Sequence, residues 1–340
     1  TRRHAPCSGI PGNPPRILIP ASGFTAAALE ITTVGEARQP PEVAGGGLPG
    51  RMAPKEGEMA WGLQGKVCLV TGGNRGIGLE VVRRLAGGGA RVLLVSRNEA
   101  SGKAAAEGIR GATEEGNVEV IRGDLGSLAE VRLLASRVLE AAPRLHLLVN
   151  NAGILTRRRS TTPDGLETQF AVNHLGPFLL THLLWPALRE AAPSRVVSVA
   201  SEAHRRGTLE WDDLQMERRY SPGKAYARSK LANVLFAAEL ARRSPDQGVT
   251  SVSVHPGVYA TGVLRDLLGP LDFLSRLFPG PESGGANVTE VALLQEFAEF
   301  PGAYYRRTKR IDPSRLARDP EAARRLWEES ARLTGVHPDA

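Results

Sequence analysis

Cysteine is nearly missing from this chain. Among 340 residues there are two, Cys7 and Cys68, far apart in sequence, and Cys68 falls inside an apolar run that reads as a buried strand. Such a pair builds neither a disulfide framework nor a zinc site, so no metal is expected and a reducing compartment, the cytoplasm by default, follows. Long uninterrupted apolar runs are missing too. The most apolar part of the N-terminal region, residues 17–34, is broken by Pro20, Gly23 and Glu30 and is too short to span a bilayer, so no transmembrane anchor is expected. Acidic residues are in deficit, 36 against 43 Lys and Arg, for a formal charge of +7. The surplus is scattered in short groups such as Arg157-Arg158-Arg159, Arg205-Arg206 and Arg306-Arg307. No zinc-finger, basic-zipper or aromatic-interleaved stretch accompanies them, so nucleic acid is not the expected partner.

What is present divides the chain in two. Residues 1–60 hold nine prolines and nine glycines with no sustained period, the composition of a disordered extension. Arg2, Arg3 and Arg16 precede the first acid, Glu30, a faint likeness to an organelle transit peptide. A transit segment, a disordered tail, a fragment and a start at Met59 all stay open as readings of this region.

From Trp61 to residue 340 short β-branched runs alternate with helical stretches, the pattern of an α/β domain built on one doubly wound parallel sheet. Strands are expected at Lys66–Thr71, Arg91–Arg97, Val118–Leu125, Leu145–Asn151, Arg195–Ala200 and Val249–His255. Helices are expected near 76–86, 98–110, 127–141, 165–189, 223–243, 285–298 and 319–333.

The first strand runs into Thr71-Gly72-Gly73-Asn74-Arg75-Gly76-Ile77-Gly78 and then a helix. Glycines there let the backbone turn sharply and approach a pyrophosphate, which sits at the positive end of the helix. Four further motifs follow in order: Asp124-Leu125, Asn150-Asn151-Ala152-Gly153, Tyr226-x3-Lys230 and His255-Pro256-Gly257. Together they resemble the short-chain dehydrogenase/reductase family over roughly residues 63–335, and a Rossmann-type fold with a nicotinamide cofactor is what that resemblance implies. It further implies that Asp124 meets the adenine, that the Asn150–Gly153 turn sits beside the cofactor and braces the sheet, and that Thr261 contacts the carboxamide.

Tyr226 and Lys230 are four apart on an expected helix and so share a face. A phenol is a poor acid or base at neutral pH, and a nearby ammonium is expected to lower its pKa by stabilising phenolate. Ser201 ends the fifth strand at the edge where ligands bind, with Ser198 as a competitor on the opposite strand face. By the resemblance, Ser201 bonds the substrate oxygen. The 25-residue interval from Ser201 to Tyr226 is long for the family, and 202–222 reads as an enlarged loop over the site. Asn173 lies in an apolar helix four residues before Pro177, whose missing N–H frees the Asn173 carbonyl. The family's asparagine holds a water that links the lysine to solvent. His174 is read as structural.

The stretches Asn173–Phe178, Ala225–Asn233 and Leu326-Trp327-Glu328 resemble the retinol-dehydrogenase-like branch, which handles retinoids, steroids and lipid-derived carbonyls. Apolar residues between 258 and 280 read either as core packing or as a substrate lid. The second strand ends in Ser96-Arg97 with no acid to repel a 2′-phosphate, and Arg75 reaches the same corner. NADP(H) is therefore expected, with a small lipophilic carbonyl or alcohol as the substrate. A homodimer and peripheral membrane contact are both compatible with this reading. The alternative is a nucleotide-sensing or interaction protein on the same fold.

Overall fold

Five strands are buried on both faces over nearly their whole length, as a parallel sheet between two helical layers requires. They are β1 (Val67–Thr71), β2 (Arg91–Ser96), β4 (Leu147–Asn150), β5 (Ser194–Val199) and β6 (Val249–His255), with β3 (Val118–Arg122) at the edge. Two short strands that the sequence pattern does not announce extend the other edge: β7 (Tyr304–Arg306), parallel to β6, and β8 (Lys309–Arg310), antiparallel to β7. The sheet order is β3-β2-β1-β4-β5-β6-β7-β8. The computed structural model describes residues 61–110, 117–260 and 278–337, all within the unit Gly57–Ala340.

Strand alternation sorts the core. Leu69, Leu93, Leu148 and Val196 face one buried cluster, while Cys68, Val70, Leu94 and Val149 face the other. Helices cover both: α1 (Gly76–Gly87), α2 (Glu99–Arg110), α3 (Leu128–Ala141), α4 (Thr168–Phe170), α5 (Gly176–Leu183), α6 (Trp185–Glu190), α7 (Pro222–Arg243), α8 (Glu282–Leu293) and α9 (Pro320–Thr334). The chain leaves β1 toward β2 and β3, then returns to β4 on the other side. This reversal opens a crevice at the carboxyl ends of β1 and β4, where ligands bind in such sheets.

The single helix expected near 165–189 is three helices and a π turn. Pro177 offers no N–H, and the Gly176 N–H reaches back five residues to the Ala171 carbonyl, so Ala171–Leu175 widens into a π turn. Pro186 marks the second break, in the first turn of α6. The helix expected at 285–298 stops at Leu293 and continues as a 3-10 turn over Gln295–Ala298.

The long connection between β5 and α7 is pinned from below. Arg228, on α7 and 2% exposed, donates from Nε to the Thr208 carbonyl (3.1 Å) and from Nη1 to the carbonyls of Asp213 (2.7 Å) and Leu214 (3.0 Å). Its Nη2 lies 3.4 Å from Glu210. Arg159 and Glu167 add bonds to Gln215 of the same stretch. Arg228→Ala strips three carbonyls of their donor and is expected to cost about 2–4 kcal/mol, a fall in Tm of about 5 °C or more. Thermal melts of the variant check this. An unchanged Tm would mean that water replaces the guanidinium without cost.

Candidate active site

At the carboxyl end of β1 the glycine turn closes on the β4 turn. Gly72 sits at φ +66°, in the left-handed region. A Cβ on Gly78 would lie 2.3 Å from the Gly72 carbonyl oxygen and 2.4 Å from Asn151 Nδ2, so only glycine fits there. The Thr71 hydroxyl accepts from the N–H groups of Asn151 (3.0 Å) and Ala152 (3.1 Å) and donates to the Val149 carbonyl (3.3 Å). Asn151 Nδ2 donates in turn to the carbonyls of Thr71 (2.8 Å) and Gly72 (3.3 Å). Arg75 precedes α1 and supplies no side-chain cap, so the first-turn N–H groups face the crevice without a built-in acceptor, as an anion site requires. This uncapped turn and the space kept open by glycine fit a dinucleotide phosphate.

The other expected cofactor residues ring the same edge. Asn74 Nδ2 donates to Ser101 Oγ (3.0 Å). Ile77 packs where Gly284 of α8 leaves room beside Tyr259. Arg97, like Arg75, is exposed, while Glu99 is paired with Lys103 at 2.7 Å along α2. Asp124 accepts from the Gly126 N–H (2.9 Å) just past β3. Leu125 is 6% exposed and belongs to the core, so it can offer a ligand its backbone alone. Pro256 and Gly257 follow β6, with the Pro256 carbonyl held by Asn287 Nδ2 at 2.8 Å. Thr261 and most of the apolar stretch 258–280 lie outside the described residues.

Asn173, Ser201, Tyr226 and Lys230 converge although they come from three different elements. Tyr226 and Lys230 share a face of α7, with Nζ 5.7 Å from the ring centroid. Lys230 Nζ donates to the Val199 carbonyl (2.9 Å), and a Cβ on Gly153 would lie 3.3 Å from Nζ and 3.7 Å from Asn173 Oδ1. The Asn173 side chain is engaged through both its oxygen and its nitrogen. It accepts from the Ile154 N–H (2.8 Å) and donates to the Ile154 carbonyl and Ser229 Oγ, both at 3.0 Å. Its main-chain carbonyl lacks the usual donor four residues on, since Pro177 has no N–H, and so is an acceptor available to a water. Ser201 stands beyond the end of β5, its hydroxyl beside the Tyr226 phenol. Ser198 is buried inside the strand with its hydroxyl unpartnered and away from the edge.

The electrostatics correct one expectation. Burial pushes the Tyr226 phenol up to about 12, opposed only in part by the nearby Ser201 hydroxyl. Desolvation thus outweighs any help from the lysine, whose own pKa burial lowers to about 8. Sequence reasoning missed Thr71, Ser229 and Asn233, whose Nδ2 joins Lys230 on the Val199 carbonyl at 3.3 Å. Helical spacing from Tyr226 and Lys230 was the available signal for the last two. His174 is structural, its Nε2 bonded to Ser330 of α9 (2.8 Å). Among the described residues no three His, Cys, Asp or Glu gather as metal ligands, and no described helix is long and apolar enough to cross a membrane.

Lys230 costs stability. Its pKa is about 8 in the fold against 10.5 when free, so between those values the unfolded chain binds the extra proton and stability rises with pH. At neutral pH the buried charge costs about 3 kcal/mol. Lys230→Met should therefore keep or raise the Tm at pH 7 and flatten the rise in stability from pH 8 to 10.5, because Asn233 still serves the Val199 carbonyl. Melts at pH 7 and 10 check this. A Tm that drops at pH 7 would make the lysine a support of the fold.

A family model described as short chain dehydrogenase matches residues 66–269. Retinol dehydrogenase 12 of Mus musculus is 42% identical over 279 residues, which cover 81% of this chain and 88% of that protein. Among solved structures, an uncharacterised protein from Mycobacterium Paratuberculosis aligns with a TM-score of 0.67 at 34% identity, covering 82% of this chain and 99% of that one. The RhlG/NADP active-site complex of Pseudomonas aeruginosa aligns with a TM-score of 0.59 at 25% identity, covering 77% and 98%. With the family's motifs in order on an eight-stranded sheet of its topology, the chain belongs to the short-chain dehydrogenase/reductase family, in its retinol-dehydrogenase-like branch, and is an oxidoreductase of alcohol and carbonyl groups.

Proposed function

We propose that this protein interconverts a lipophilic carbonyl and its alcohol with NADP(H), and that Tyr226 carries the proton. The observation that bears most weight is the convergence of the Tyr226 phenol, the Ser201 hydroxyl and the buried Lys230 ammonium at the carboxyl edge of the sheet. The glycine turn would hold the nicotinamide dinucleotide, which would supply or accept the hydride when bound.

The residues divide the remaining work. One lone pair of Ser201 Oγ is taken by the Ala203 N–H (3.2 Å), which leaves the hydroxyl hydrogen to donate to the substrate oxygen. A phenol near pKa 12 stays protonated through the neutral range and serves as the acid that protonates the developing alkoxide. The charge of Lys230 steadies the phenolate so formed, and the Asn173 carbonyl holds the water from which Tyr226 is reprotonated through the lysine. NADP(H) is favoured because Arg75 and Arg97 present exposed guanidinium groups where Glu99 is drawn away by Lys103. The Pseudomonas aeruginosa relative, which was solved as an NADP complex, supports the same choice. Among retinoids, steroids and lipid aldehydes, a retinoid is the substrate class that the names of the retinol dehydrogenase relatives favour.

Tyr226→Phe should bind NADPH normally while kcat falls by about three orders of magnitude, since only the proton donor is lost. Substantial residual turnover would remove Tyr226 from this role. In the native chain, kcat/KM for reduction should hold level from pH 6 to about 8 and fall above, as Lys230 loses the proton it binds with a pKa of about 8. For alcohol oxidation it should rise with pH. The native kcat/KM for NADPH should exceed that for NADH, and Arg97→Ala should narrow the ratio about tenfold. A native preference for NADH would overturn the cofactor reading.

A further inference from the structure

Ser201 opens a 3-10 turn, Glu202–Arg206, whose polar side chains point into one neighbouring segment. Glu202 accepts from the Tyr304 hydroxyl (2.7 Å), Arg205 donates to the Asp312 carbonyl (2.9 Å), and His204 Nε2 accepts from the Ser314 N–H (3.1 Å). All three partners lie beyond residue 269, where the match to the family model ends. His204 is the centre of this arrangement. It is fully buried, its ring lies 4.7 Å from that of Tyr304, and its Nδ1 is 2.7 Å from the Ser201 carbonyl oxygen.

The tautomer follows from the partners. A backbone N–H can only donate, so Nε2 bears a lone pair toward Ser314 and the proton sits on Nδ1, donated to the Ser201 carbonyl. That carbonyl also accepts the His204 N–H (3.0 Å). The Ser201 peptide is thereby held from two directions while the Ala203 N–H holds its Oγ (3.2 Å). The hydroxyl is left with its hydrogen as the free element. Burial lowers the His204 pKa, which keeps the neutral ring this geometry needs.

We propose that His204 is a positioning residue that sets the orientation of the Ser201 hydroxyl, and that the segment 304–314 holds it in the required tautomer. This rests on the reading of Ser201 as the group that bonds the substrate oxygen. A displacement of about 1 Å in such a group costs up to about a hundredfold in rate, so the effect belongs in kcat rather than in cofactor affinity.

Two conservative variants separate the two ends of the ring. His204→Gln retains an acceptor where Nε2 meets Ser314 but loses the donor to Ser201, and His204→Asn does the reverse. The full-length chain is assayed with NADPH and the aldehyde it reduces fastest from a panel of retinaldehyde and alkanals. His204→Gln should keep its Tm and NADPH Kd while kcat drops at least about tenfold. His204→Asn should stay within about threefold of native kcat even where its Tm falls. Should kcat follow Tm in both variants, His204 is a fold support and the proposal is overturned. Ser201→Ala separates the two layers: it should be nearly inert, and adding His204→Gln should cause little further loss. An active Ser201→Ala overturns the reading of Ser201, whereas an inert one beside a native-like His204→Gln overturns the positioning role alone.

Discussion

The Thr71 hydroxyl uses all the hydrogen-bonding capacity an alcohol has, one donor and two acceptors, and every one of those bonds crosses the gap between β1 and β4. Two strand ends 80 positions apart in sequence are thereby locked where their turns diverge. The glycine turn and the Asn150–Gly153 turn cannot shift independently, and Gly78 leaves no slack between them. The candidate site is built outward from this joint. Asn151 braces the glycine turn, Gly153 gives room for Lys230, and Ile154 fixes Asn173.

Against that rigid frame the site stores electrostatic tension. The lysine is buried and the tyrosine largely packed around, and each pKa moves toward its neutral form, to about 8 and about 12. A fold selected for stability alone would place neither there. The same desolvation strengthens whatever charge the pair meets during a reaction, because fields are screened less in a dry site.

Much of this was legible in the sequence because it depends on local chemistry. A glycine turn between a strand and a helix, an Asn-Asn turn, and a Tyr and Lys four residues apart announce themselves by spacing, and the structure brings them to one edge. Pro177 also signalled its effect, although the sequence pattern could not say that the helix would answer with a π turn rather than a kink. The strands β7 and β8 were invisible for a physical reason. They are three and two residues long and sit in a run of arginine and lysine with no alternation, and they pair only because β6 offers an edge. The direction of the Tyr226 shift was misjudged because burial, unlike spacing, is a property of the assembled core. Thr261 and the apolar stretch after it lie outside the described residues.

The hydrogen bonds that join Tyr304, Asp312 and Ser314 with the turn after Ser201 span 102 to 110 positions of sequence. Ser330 of α9 reaches back 156 positions to His174 in the π turn. During synthesis the ribosome delivers the glycine turn, the serine and the Tyr-Lys helix long before the residues that tie them down. The nascent chain thus carries every chemical group of the site while its geometry waits on the last segment to emerge, a built-in delay between making the parts and arming them.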